Sequence, residues 1–153
     1  MKCKLIRHLP EKGFSLIEIG VVLLISITLL AFTLSVSGAF SKQKLNTAAS
    51  ILMEDIRLTQ NLNENQDNSI YSIKFDCDIE NYYISKDTTI YKTVKLPSSI
   101  DLVGNNFTAN KLSFNSKGVP SGGGTVTLGD NRGNYLYVKV LPVTGRVRVD
   151  KTS

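Results

Sequence analysis

Glu18 is the residue with the clearest chemical potential in this chain, because of what surrounds it. It stands at the mouth of Ile19 to Ser41, 23 consecutive positions without a charge. A run of that length crosses a bilayer core as a single helix. A carboxylate at mid-bilayer costs roughly 2.5–3.5 kcal/mol on insertion scales, so an acid here points to a function and to a cationic counterpart. Ahead of it, Lys2, Lys4, Arg7 and Lys12 against one acid give residues 1–13 a net charge of +3. Positive charge on that flank predicts that the N-terminus stays cytoplasmic, the chain passes the membrane once, and the rest is exported.

Other chemistry-bearing groupings are sparse. His8, the only histidine, lies in the basic leader, and Cys77 has no histidine partner beyond it. Ser/His and Cys/His nucleophile pairs and the usual zinc sites are therefore not expected, nor is an enzymatic role or a cofactor. Ser121-Gly122-Gly123-Gly124 lacks the Gly-Lys-Ser/Thr of a phosphate loop and reads as a flexible turn. Asp76, Asp78 and Glu80 alternate, with Asp87 at the twelfth position, as in a calcium loop. Asn81 stands where such a loop needs glycine, however, and Tyr82-Tyr83-Ile84 reads as strand, so a solvated hairpin is the preferred reading. Cys3 lies in the leader, which leaves Cys77 as a free, buried thiol.

Near the C-terminus Leu136, Val138 and Val140 alternate with Tyr135, Tyr137 and Lys139, while Val147 and Val149 alternate with Arg146 and Arg148. If the aliphatic residues face the core, Tyr135, Tyr137, Lys139, Arg146 and Arg148 share the outer face, and Lys151 and Arg132 extend it. Aromatic rings beside cations suit sequence-tolerant nucleic-acid binding. The same face also reads as a charged sheet surface that balances acidic residues, against a neighbouring subunit for example. Residues 54–110 hold five basic and nine acidic side chains, whereas residues 111–153 hold seven basic and two acidic ones.

These groups must be positioned by one long helix and a β-rich head. Leu45, Ala48, Ala49, Leu52 and Ile56 recur at helical spacing beyond the apolar run, with Lys42, Lys44, Glu54 and Arg57 between them. No proline or glycine interrupts residues 42–62, so the apolar helix is expected to continue to about Leu62. From Phe14 that helix would be ~73 Å long. A polar breaker, Asn61 to Asn68, ends it. Beyond, Ile70–Phe75, Tyr82–Ile84, Thr89–Val94, Ile100–Val103, Lys111–Phe114, Thr125–Leu128, Tyr135–Val140 and Arg146–Val149 read as strands. The class is α+β: a helix whose first half spans the membrane, then an antiparallel β-sheet or sandwich head. The expected divisions are an amphipathic extension at 42–62 and the head at 63–153, preceded, as the resemblance given next implies, by a leader at 1–13 and a spanning helix at 14–41. About 110 residues follow the span, enough to bury a core.

The basic leader, the Gly13-Phe14 junction, Glu18 and the apolar helix behind them resemble the N-terminus of type IV prepilins and pseudopilins. The resemblance implies that a prepilin peptidase cuts after Gly13 and methylates the new amino group of Phe14. It implies too that Glu18 pairs with the Phe14 amine of a neighbouring subunit as helices pack into a filament. Phe14 and Glu18 are one helical turn apart, which puts both charges at one membrane depth. Each offsets a burial that would be costly alone. The family's commonest junction has Thr at the place of Ser15 and Leu or Met at that of Ile19. An ordinary secretory signal, with Ser37-Gly38-Ala39 as its site, fits less well: its apolar stretch is about 7–15 residues and would not hold an acid.

A second resemblance lies in the head. Phe114-Asn115-Ser116-Lys117-Gly118, a glycine turn, Thr125–Leu128, Tyr135–Val140 and Gly145-Arg146-Val147 are similar in order to the C-terminal region of GspH/FimT minor pseudopilins, and more loosely of ComGD-like competence pseudopilins. This implies a non-enzymatic filament subunit of a type IV pilus, a type II secretion system or a competence machine. Its partners would be other pilin or pseudopilin subunits, the peptidase and the membrane. Because the FimT branch includes DNA-binding members with a basic C-terminal surface, an exported DNA-binding module is the alternative.

Overall fold

The computed structural model describes residues 15–65 and 69–151, with no side chains given for 32–39. Gly13, Phe14 and the leader with Cys3 and His8 lie outside the described residues. Helix α1 runs Leu16–Glu64. Its backbone opens at Ser15, whose carbonyl accepts the N–H groups of Glu18 and Ile19 at 3.0 and 3.3 Å. The chain divides into two compact units, residues 1–37 and 38–153.

In the first unit every described apolar side chain of α1 is exposed, with Leu24 and Leu30 among them. Among the described residues no helix is long and apolar enough to cross a membrane.

The second unit holds the rest of α1 and eight strands: β1 Tyr71–Asp76, β2 Asn81–Lys86, β3 Thr89–Lys95, β4 Ile100–Asn105, β5 Lys111–Ser113, β6 Gly124–Asp130, β7 Tyr135–Val140 and β8 Val147–Asp150. They form two four-stranded sheets, ordered β3-β2-β1-β5 and β4-β6-β7-β8. All pairings are antiparallel, as alternating strands with short connections require. The α+β class expected from the sequence is the class observed. β2 and β3 shift register between Ile84 and Ser85, and β4 does so against β6 between Leu102 and Gly104.

One apolar core joins the three layers. α1 contributes Leu45, Ala48, Ala49, Leu52 and Ile56; the first sheet Ile73, Phe75, Tyr82 and Ile84; the second Leu102, Val126, Leu128, Val138 and Val147. The period-2 alternation of each strand decides which side chains enter it. Burying a leucine or isoleucine of this kind contributes about 1.5–3 kcal/mol. The expected strand Arg146–Val149 is displaced by one residue. Arg146 closes the preceding turn, its carbonyl accepting the Leu141 N–H at 3.0 Å, and Asp150 joins β8 in its place.

Candidate assembly and partner-binding sites

Glu18 stands in the first turn of α1, exposed, among exposed Ile17, Ile19, Val21 and Val22. A carboxylate there is favoured by the partial positive charge of the helix N-terminus, which supplies a local role beside any intermolecular one. Among the described residues of this unit none covers the aliphatic side chains that follow.

Further along, α1 is tied to both sheets by polar groups that the apolar stripe does not reveal. The buried Asp55 carboxylate accepts the Tyr82 hydroxyl at 2.7 Å and the Lys92 ammonium at 2.6 Å. Burial first, and then the Asp55 hydrogen bond, push the Tyr82 phenol far above its ordinary value, so it stays a donor. Buried Asn63 treats Tyr71 as a strand would: its amide nitrogen donates to the Tyr71 carbonyl and its oxygen accepts the Tyr71 N–H, both at 2.9 Å. Thr59 donates to the Asp55 carbonyl at 2.8 Å. Residues 55, 59 and 63 continue the buried stripe at four-residue spacing. That spacing was the available signal, and the polarity of the residues hid it.

The two glycines of the head motif meet at the same helix. Gln60 Nε2 donates to the Gly118 carbonyl at 2.8 Å. Both Gly118 (φ +69°) and Gly145 (φ +63°) occupy the left-handed region, and a Cβ on Gly145 would lie 2.7 Å from Gln60 Nε2 and 2.9 Å from the Gly118 oxygen. Asn115 shapes the first turn, its side-chain oxygen accepting the N–H groups of Lys117 and Val119. The spacing Phe-x-x-x-Gly … Gly-Arg-Val thus encodes a docking knot under the end of α1. Near the start of the unit, Ser41 donates to Asp130 at 3.0 Å. Asp130 also accepts the Asn134 side-chain amide and the N–H groups of Arg132 and Asn134. These donors, the Asn134 amide foremost, hold its carboxyl down at about 2.

On the last hairpin, Leu136, Val138 and Val140 face the core, with Tyr135 exposed and Tyr137 and Lys139 half-buried on the other face. Lys139 and Arg148 are register partners, as are Tyr137 and Asp150. Asp150 changes the character of the face, because its carboxylate meets the Lys139 ammonium at 3.4 Å. Arg146 and Arg148 are exposed, Arg146 in the turn rather than on the strand. Tyr135 has a packing role: a Cβ added to its register partner Gly129 would come within 3.1 Å of the ring, which therefore shields that glycine. Lys151 lines a shallow groove with Lys42 and Asn46 of α1 and with Tyr137. The sequence reads Tyr135, Tyr137, Lys139, Arg146 and Arg148 as one outer face; the structure keeps Tyr135, Tyr137, Lys139 and Arg148 on it, moves Arg146 into the turn and neutralises part of the face with Asp150.

The β1–β2 turn directs its carboxylates at backbone donors. Asp76 accepts the Asp78 N–H at 3.2 Å and Glu80 accepts the Leu102 N–H, linking the two sheets. Cys77 is a free, half-buried thiol, raised in pKa chiefly by burial.

Over 145 residues, covering 92% of this chain and 94% of its relative, the sequence is 32% identical to the competence protein ComGD of Bacillus subtilis strain 168. The chain belongs to the type IV pilin and pseudopilin family. No family model matches it. Its fold is similar to that of the minor pseudopilin EpsH from the type 2 secretion system of Vibrio cholerae, with a TM-score of 0.59 over 71% of this chain and 97% of that one, at 13% identity. This pseudopilin is accordingly a filament subunit of the pilus, secretion and competence type, and its relatives are structural proteins.

Proposed function

We propose that this pseudopilin is a minor subunit of a competence filament, held by α1 in the cytoplasmic membrane with its head outside until it is drawn into the assembly. The competence assignment rests on the likeness to ComGD along most of both chains. The assembly role is carried by one observation: Glu18 and the apolar side chains after it are exposed together at the start of α1. Prepilin peptidase cleaves after Gly13, and the methylated Phe14 amine of one subunit meets Glu18 of the next. Pairing the two charges across subunits offsets the cost of burying either and sets the axial register.

The test is Glu18→Ala in the producing cell. Membrane insertion should be unimpaired, because the removed acid is costly in lipid. Recovery of the chain in sheared filaments, and DNA uptake with it, should fall to near background. Equal recovery of variant and wild type would make Glu18 incidental. Mass analysis of the mature chain should give an N-methylated Phe14 terminus, and an N-terminus at Lys2 would contradict peptidase processing.

A second reading, DNA contact by the outer face of the second sheet, is favoured by the alignment of Lys139, Arg148 and Tyr137. Replacing Arg148 by Ala should then flatten the salt dependence of duplex binding by a slope of roughly 0.9, the loss of one phosphate contact. Absence of binding by the wild-type chain would retire this reading.

A further inference from the structure

Strand β3 is the longest edge strand of the two sheets, seven residues against three for β5, six for β4 and four for β8. All its side chains are exposed except Val94, which is half-buried. Along the side away from β2 its backbone N–H and C=O groups are open, and past the bulge at Tyr91 the stretch Lys92–Lys95 runs unbroken, a template for another strand. Lysines commonly guard such edges, but Lys92 is turned inward onto Asp55 at 2.6 Å.

Between this edge and α1 lies a groove of about 290 Å³, lined by Phe40, Thr47 and Ile51 of the helix and by Val94, Leu96 and Pro97. Phe40 and Ile51 are 58% and 42% exposed, so the groove leaves substantial apolar surface uncovered. Val94 is the register partner of Tyr82, whose side chain faces the core, so Val94 looks to the same side of the sheet. A strand laid beyond β3 would send every second side chain to that side and into the groove. Lys44 and Lys95 also line it, no carboxylate does, and neither lysine is in an ion pair among the described residues.

We propose that the free edge of β3 receives an extended segment from a different subunit of the filament. That segment adds a fifth strand to the first sheet, seats an apolar side chain in the groove and meets Lys44 and Lys95 with carboxylates. Backbone pairing provides the affinity and the groove with its two cations the selectivity. The occupant is a different chain because this one offers no matching strand among the described residues. β1, β2, β5, β6 and β7 already direct apolar side chains into their own core, as β4 does with Ile100 and Leu102 and β8 with Val147, and a second β3 would bring lysines and no carboxylate to Lys44 and Lys95. The proposal rests on the filament reading above.

Hydrogen exchange tests it on the full chain, in detergent alone and in recovered filaments. In detergent the outward amides of Thr89–Lys95 should exchange quickly; in filaments they should slow at least tenfold. The double variant Lys44→Glu, Lys95→Glu should enter the membrane and melt like wild type, yet lose that protection and be recovered several-fold less in filaments. Wild type present in filaments with unchanged β3 exchange would overturn this proposal alone. Absence of wild type from filaments would overturn the filament reading as well. Slowing that appears in the isolated chain as its concentration rises would identify a second copy as the occupant, and overturn the assignment to a different subunit.

Discussion

The two stretches of α1 share a backbone conformation and little else. In the first unit, Leu16, Ile17, Leu24 and Leu30 are exposed around the helix. In the second, one stripe from Leu45 to Ile56 is buried and continues through Asp55, Thr59 and Asn63, whose polar atoms all have partners. The second stretch is packed by the head that follows it, while the described side chains of the first are left exposed. Helical propensity therefore says nothing about where a helix finds its stability, and the surroundings of its apolar atoms decide it.

Paired truncations put this contrast to its hardest test. Leu52→Ala should destabilise the head by about 2–5 kcal/mol, because Leu52 is fully enclosed. Leu24→Ala should leave head unfolding unchanged and alter only assembly or membrane partition. Denaturant titration of both variants measures the difference, and equal effects would erase the distinction between the stretches. Asn63→Ala comes next, with a loss of about 1–3 kcal/mol, since it strands the buried Tyr71 N–H and carbonyl. Urea unfolding would show it as a lower midpoint at constant slope.

A smaller effect is confined to acid. Asp130 has its folded-state pKa depressed to about 2, below its unfolded value of about 3.9. Its contribution is fully present above the unfolded value and is lost as pH falls through the folded one. Between about pH 4 and 2, the Asp130→Asn variant should lose stability less steeply than wild type, with melting temperature as the readout. The smallest change is expected from Arg148→Ala, within about 0.5 kcal/mol, because the side chain is exposed on an edge strand.

Much of this was legible in the sequence for local reasons. Alternation located all eight strands, and Tyr135–Val140 matches β7 at both ends. The helix was followed to within two residues of Glu64 because no breaker precedes Asn61 to Asn68. Strand partnership was not legible. β1 pairs with β5 across a segment that contains β4, a member of the other sheet, and only the joint burial of both sheets selects that arrangement. The roles of Asp55, Gln60 and Asn63 were missed for a similar reason: a polar residue on a core-facing stripe announces itself only when its partner is known. Arg146 was placed on a strand because alternation cannot tell the last turn residue from the first strand residue. Asp150 is absent from the basic face read from the sequence because alternation ends that strand at Val149, one residue before β8 ends.

The ties between α1 and the sheets have a mechanical consequence. Ser41, Asp55, Gln60 and Asn63 connect the helix to Asp130, to Tyr82 and Lys92, to Gly118 and to Tyr71. A pull along the helix axis loads these attachments together, in shear, instead of peeling them one after another. The head should therefore resist extraction or retraction along that axis far better than a sideways force of the same size.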